Sequence, residues 1–134
     1  MDFNHLSNEE LKQKEKQLKR ALEELDEKEA VIIVEGKKDK EALQRIGVKN
    51  RIKLVNRSPA ELSRAISDEK EAIILTDFDE AGEEICKRVE ESLSSYSIKA
   101  DTELRKRLHR IIGVANFESI DKILDKFDEE IKKR

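Results

Sequence analysis

The sequence predicts an α/β fold: a parallel sheet of about four strands with helices on both faces, plus N- and C-terminal helices. Three observations predict it. Val31-Ile-Ile-Val34 and Ala72-Ile-Ile-Leu75 are short unbroken apolar runs dominated by β-branched residues, the pattern of strands buried on both faces. Segments of helical period lie between and around these runs. Each run then turns acidic, at Glu35 in one case and at Asp77 and Asp79 in the other.

The elements follow in order. Ser7-Asn-Glu-Glu10 is a capping-box pattern that opens a helix over Asn8–Glu27, with a narrow apolar seam of Leu11, Leu18, Ala21, Leu22 and Leu25. That seam docks on its own domain or on a partner; it has too few heptads for a coiled-coil dimer. The first strand is Val31–Glu35, and Gly36 punctuates it. A short helix follows over Asp39–Ile46, closed by Gly47. Arg51–Val55 reads as an outer strand. Ser58-Pro-Ala-Glu61 is a second capping box, with Pro59 in the first helical position of a helix that reaches Ile66. The third strand is Ala72–Asp77. The helix Glu80–Leu93 buries Ile85, Cys86, Val89 and Leu93, which makes Cys86 a packed core thiol. Ser94–Ser97 is a turn, and Tyr96–Ala100 is the fourth strand. Asp101 or Thr102 caps a helix running to Ile112 and closed by Gly113, with Leu104, Leu108, Ile111 and Ile112 inward. Asn116 caps a last helix, where Phe117, Ile120, Leu124, Phe127 and Ile131 recur at three- and four-residue steps.

The chain has 134 residues, which fits one domain over 1–134 with its core at about 30–100 and flanking helices at 7–27 and 102–133. Charged residues make up 44%, but Pro and Gly are scarce and the apolar residues are periodic, so the charge decorates a folded surface. Dense mixed Glu and Lys also fits a heat-adapted surface. A net charge of −3 excludes a basic footprint over the whole surface, so any contact with nucleic acid is local. A single cysteine allows no internal disulfide and points to a reducing compartment. No apolar run reaches membrane-spanning length and no signal-peptide core is present, so the expectation is a soluble cytoplasmic protein without membrane contact.

The acidic residues carry the chemistry. The carboxyl edge of an open α/β sheet is where ligands bind. If the two strong strands are neighbours, Glu35, Asp77 and Asp79 converge there around one cation. Three close carboxylates cannot all stay ionised without a counter-charge, and a hard divalent cation such as Mg2+, or Mn2+ in its place, supplies one. Asp77 and Asp79 then read as metal ligands and Glu35 as general acid/base or outer-sphere ligand. Asp79 is equally a helix N-cap by type. Asp39 opens a helix, where its charge complements the dipole and helps to order the loop.

Val34-Glu35-Gly36-Lys37-Lys38-Asp39 together with Thr76-Asp77-Phe78-Asp79-Glu80-Ala81-Gly82 resembles a Toprim domain, the module shared by topoisomerases, bacterial-type primases, certain nucleases and recombination-repair proteins. The motif order agrees, and the resemblance spans roughly residues 30–100. It is most similar to small stand-alone Toprim proteins of archaea and bacteria and to the bacterial nuclease that trims the smallest ribosomal RNA. The resemblance implies a compact four-stranded parallel sheet with a magnesium site, Glu35 as general acid/base, and Asp77 and Asp79 as metal ligands. Gly36, Asp39 and Gly82 fall in the supporting positions of the two motifs. The chain lacks a DNA-gate or nucleotide-binding domain, and Tyr96 is not in a topoisomerase context, which argues against topoisomerase or full primase activity.

Lys37 and Lys38 flank the acidic loop, and Arg105, Lys106, Arg107 and Arg110 mark the helix near the C-terminus. Lys37, Lys38, Arg105, Arg107 and Arg110 are candidates for contacts to the phosphates of RNA or DNA, which would be salt-dependent and blind to sequence. A solvated face opposite a buried one explains the helical cluster as well. His5 and His109 have no partner at zinc spacing, and the few aromatics weigh against base stacking. Three functions fit this pattern. One is a magnesium-dependent, nuclease-like enzyme of phosphodiester hydrolysis or nucleotidyl transfer. Another is a non-catalytic metal- and nucleic-acid-binding subunit of a processing or repair assembly. The third is a haloacid-dehalogenase-type phosphatase, against which stands the position of Asp77-Phe-Asp79 after a strand that is not the first.

Overall fold

The computed structural model describes residues 3–55, 58–113, 116 and 118–134. The elements are α1 (Asn8–Lys28), β1 (Val31–Val34), α2 (Lys37–Arg45), β2 (Ile52–Leu54), α3 (Pro59–Ala65), β3 (Glu71–Ile74), α4 (Glu80–Ser95), β4 (Lys99–Asp101), α5 (Glu103–Ile112) and α6 (Ile120–Lys133). The four strands form one parallel sheet in the order β2-β1-β3-β4. The two strong apolar runs are therefore its central pair. Ile32 lies opposite Ile73 and Ile33 opposite Ile74, so β1 and β3 end within one residue of each other.

Alternation along the strands divides the core between the two faces. Val31, Ile33, Ala72 and Ile74 pack under α3 and α4 with Leu62, Ile66, Cys86, Val89 and Leu93. Ile32, Val34, Ile73 and Leu75 pack on the other face under α1, α2, α5 and α6, with Leu18, Leu43, Leu108 and Phe127. The seam of α1 is thus covered by its own chain, against α5 and α6. Among the described residues no helix is long and apolar enough to cross a membrane.

Local chemistry sets most of the boundaries. The Ser7 hydroxyl accepts the Glu10 N–H at 3.1 Å and the Glu10 carboxylate accepts the Ser7 N–H at 3.3 Å, a complete capping box. Ser58 accepts the Glu61 N–H at 3.2 Å at the start of α3. Gly113 closes α5 with φ 63°, a left-handed residue where glycine has no Cβ to clash.

Several boundaries differ from expectation. Helix α2 begins at Lys37 rather than Asp39, because Gly36 is the N-cap and the Asp39 carboxylate reaches back to its N–H at 3.0 Å. Strand β3 ends at Ile74, not Asp77; Leu75 N–H still bonds Ile33 O at 2.8 Å, but the next carbonyls are taken by a side chain from α5. Helix α4 runs on to Ser95, through part of the expected turn, and β4 starts only at Lys99. Asn116 does not cap α6, whose N-cap is Ser119 and whose buried face is Ile120, Ile123 and Phe127; Phe117 lies outside the described residues.

Candidate functional site

Because β1 and β3 are parallel neighbours, the residues that follow them meet at one edge of the sheet. The Asp77 N–H donates to Glu35 Oε2 at 2.8 Å, so the two acidic segments are tied by a hydrogen bond across 42 positions of sequence. Both residues are half-buried. A carboxylate that accepts a backbone N–H is held in place.

The 76–82 turn is fixed from three sides. Thr76 is buried and its hydroxyl donates to Gly82 O at 2.8 Å. Asp79 Oδ1 accepts the Gly82 N–H at 2.7 Å, which makes Asp79 the N-cap of α4. Gly82 lies so close beneath the turn that an added Cβ would fall 2.1 Å from Asp77 O and 2.6 Å from Asp77 C. No side chain fits there, so this glycine is demanded by close approach, not by an unusual φ.

The third constraint is Arg105, which is 3% exposed. Its Nε donates to Thr76 O at 2.9 Å, one terminal nitrogen to Asp77 O at 2.5 Å, and the other to Glu83 Oε2 at 2.7 Å. The guanidinium fork ties α5 to this turn and to the first turn of α4. Glu83 is held below the usual carboxylate range by that hydrogen bond and by the charge of Arg105. The placement of Arg105 on a solvent-facing, phosphate-binding surface is therefore corrected: its donors are used inside the protein. Arg107 is half-buried and pairs with Glu24 of α1, whereas Arg110 is exposed and lies 3.5 Å from Glu103.

On the β1 side, Lys37 and Lys38 are exposed in the first turn of α2, where cations oppose the helix dipole; Lys37 reaches Glu41 only at 3.9 Å. Asp39 is buried at the same turn. Burial pushes its carboxyl up, the Gly36 N–H opposes this, and the charges of Glu35 and Glu118 add to the rise. Gly36 has an extended backbone, with φ −140°, and an added Cβ would only touch Asp39 Oδ2 at 3.7 Å. It is therefore not required by local geometry, in contrast to Gly82.

The expected meeting of three carboxylates around one cation is reached only in part. Among the described residues no three His, Cys, Asp or Glu side chains stand together as a ready metal cage. The reason is local: Asp79 is spent on the cap of α4, while Glu35 is turned onto the Asp77 amide. The donor set is nevertheless all oxygen, from two adjoining loops, and Mg2+ commonly takes one or two carboxylates and fills its octahedron with water and phosphate. Glu35, Asp77 and Asp79 fit that requirement in kind.

Two further features of this edge escaped the sequence. One is Arg105, whose spacing to Leu108 and Ile112 places it beside the buried stripe of α5. The other is Phe78, whose ring stacks on His109 with centroids 4.4 Å apart and planes 10° from parallel, with the Arg105 guanidinium 5.6 Å from its centroid. Only the fold brings these three together.

Comparison with known proteins agrees with this architecture. A family model described as Toprim domain matches residues 30–111. The chain is similar to a UPF0292 protein of Thermococcus gammatolerans, 42% identical over 91 residues that span 67% of this chain and 68% of that protein. It is similar as well to a UPF0292 protein of Methanocaldococcus jannaschii, 33% identical over 110 residues, 76% of this chain and 84% of that one. Among solved structures, a putative protein from Aquifex aeolicus superposes with a TM-score of 0.68 at 32% identity, covering 76% of this chain and 96% of that chain.

Proposed function

The chain belongs to the Toprim domain family, and from that premise we propose that it is a magnesium-dependent, nuclease-like protein that hydrolyses or transfers phosphodiesters of RNA or DNA. The observation that carries this reading is the 2.8 Å bond between the Asp77 amide and Glu35, which brings the two acidic motifs to one sheet edge. Glu35, half-buried and fixed, is the general acid/base: it takes the proton of the attacking hydroxyl and returns one to the leaving oxygen. Asp77, and Asp79 through an oxygen not engaged in its cap, would hold Mg2+ or Mn2+. A bound divalent ion supplies charge neutralisation at the phosphate oxygens. Lys37 and Lys38, exposed and badly placed for the helix dipole, serve flanking phosphates instead, with Arg110 as a more distant contact and Arg107 engaged with Glu24.

One observation favours a non-catalytic metal- and nucleic-acid-binding subunit, acting with other processing or repair proteins: no ready three-carboxylate cage stands among the described residues. Cleavage of end-labelled structured RNA and DNA, with and without Mg2+, decides between the two. Under the enzymatic reading Glu35→Gln and Asp77→Asn lower the rate by at least about a hundredfold, the usual worth of a positioned acid/base group. Equal cleavage by the wild type and both variants removes that reading. Binding without any turnover assigns the second.

A further inference from the structure

Beside the acidic edge lies a cavity of about 280 Å3, lined by Phe78, Glu83, Arg105, Lys106, His109 and Arg110. Its size sits near the lower end of small-ligand pockets, which run from about 300 to 1,000 Å3, so it suits one nucleotide and not a duplex. Five of the ten residues of α5 are basic, and the fold sorts them. Arg105 and Arg107 are turned onto Glu83 and Glu24. Lys106, His109 and Arg110 are exposed around the cavity, Arg110 with only a 3.5 Å contact to the exposed Glu103. In a chain of net charge −3, this is a local cationic surface next to an aromatic face.

The Phe78–His109 pair makes that face. Its near-parallel geometry, 4.4 Å between centroids, is that of stacked planar rings. Phe78 lies between Asp77 and Asp79 in the chain, and Arg105 fixes the same turn through the Thr76 and Asp77 carbonyls. A base stacked here would therefore keep its own phosphate near the acidic edge, with Lys106 and Arg110 beside the neighbouring phosphate. Stacking needs an open base face, which paired bases within a helix do not offer.

We propose that the Phe78–His109 stack, with Lys106 and Arg110 at its side, is a subsite for an unpaired base of the nucleic-acid strand that the acidic edge engages. This deepens the function proposed above and rests on it. The site distinguishes frayed or single-stranded ends from continuous duplex.

The test uses the full chain with Ca2+ in place of Mg2+, so that the acidic edge is neutralised without turnover, and an RNA hairpin with a short 3′ overhang. One probe carries 2-aminopurine in the overhang, and a second carries an abasic residue there. The expected result is quenching of the 2-aminopurine on binding and roughly tenfold weaker binding of the abasic probe, within the range for one base–aromatic stack. His109→Ala abolishes this difference and His109→Phe restores it, while the salt dependence of binding stays the same in both. Equal affinity for the two probes, or a difference that survives His109→Ala, overturns the subsite but leaves the broader reading standing. Absence of all binding at low salt overturns both. Displacement of the hairpin by equimolar adenosine monophosphate overturns the assignment to a strand.

Discussion

Replacing Gly82 by alanine probes the construction of the acidic edge most sharply. The new Cβ would stand 2.1 Å from Asp77 O and 2.6 Å from Asp77 C, both backbone atoms that no rotamer change can move away. Relief requires a shift of about an ångström or more between the first turn of α4 and the 76–79 turn, since carbon atoms pack at roughly 3.5–4.0 Å. That shift strains two short bonds made by Gly82 itself, from its N–H to Asp79 and from its carbonyl to the Thr76 hydroxyl. Overpacking costs about 1–3 kcal/mol and each hydrogen bond about 0.5–1.5 kcal/mol net, against a helix-propensity gain of about 1 kcal/mol. The expected net loss is about 1–5 kcal/mol, or a fall in Tm of roughly 3–20 °C for a chain of this size. Gly36→Ala is the control. Its Cβ meets only Asp39 Oδ2 at 3.7 Å, so the cost is limited to a poorer N-cap, about 1 kcal/mol or less. Paired urea and thermal melts read both variants. A Gly82→Ala protein that melts within about 2 °C of the wild type, or a Gly36→Ala protein as damaged as it, refutes the claim that close approach dictates this glycine.

Arg105→Met leaves the Thr76 and Asp77 carbonyls without their donor and should destabilise by about 2–4 kcal/mol in denaturant melts, with Arg105→Lys recovering little because the fork is lost; a variant of wild-type stability that only binds nucleic acid less well contradicts its internal role. The double variant Lys37→Gln, Lys38→Gln should keep its stability and lower the slope of log affinity against log salt by about 1.4 for a single strand, measured by anisotropy, and an unchanged slope removes both lysines from the interface. Burial pushes the Asp101 carboxyl up, but the Lys28 ammonium and the N–H groups of Leu104 and Glu103 outweigh it and hold the group below the usual range. A carboxyl lowered on folding adds stability above its unfolded pKa of about 3.9 and loses it as pH falls through the folded value. Lys28→Met should therefore cost about 1 kcal/mol at pH 7, and the gap to the wild type should close below about pH 4; a gap independent of pH speaks against the pairing.

Much of this arrangement is legible in the residues, for a physical reason. Val31–Val34 and Ala72–Leu75 can be unbroken apolar runs only because the central strands of a parallel sheet are covered on both faces. Ser7, Ser58 and Gly113 announce helix ends because their caps are local, involving partners three or four positions away. Gly36 hid the start of α2, since a glycine N-cap has no side chain and the reciprocal bond comes from Asp39 alone. What could not be read depends on long-range geometry. A charged residue one step from an apolar stripe is exposed on most helices, whereas Arg105 is buried with its donors on two carbonyls of the turn beyond β3. Likewise, composition counts few aromatics but cannot show that Phe78 meets His109 from 31 positions away. The same limit applies to the carboxylates: adjacency of Glu35 and Asp77 follows from strand order, whereas the engagement of Asp79 with α4 depends on the geometry of one turn.

The decisive measurement is paramagnetic broadening of amide resonances by substoichiometric Mn2+ in the wild type and in Asp77→Asn. If one divalent ion binds where the loops after β1 and β3 meet, broadening is confined to residues 35–39 and 76–82, Mg2+ competes it away, and Asp77→Asn abolishes it. Broadening spread over the acidic surface, or centred elsewhere and indifferent to Asp77, would contradict a shared cation site at this edge.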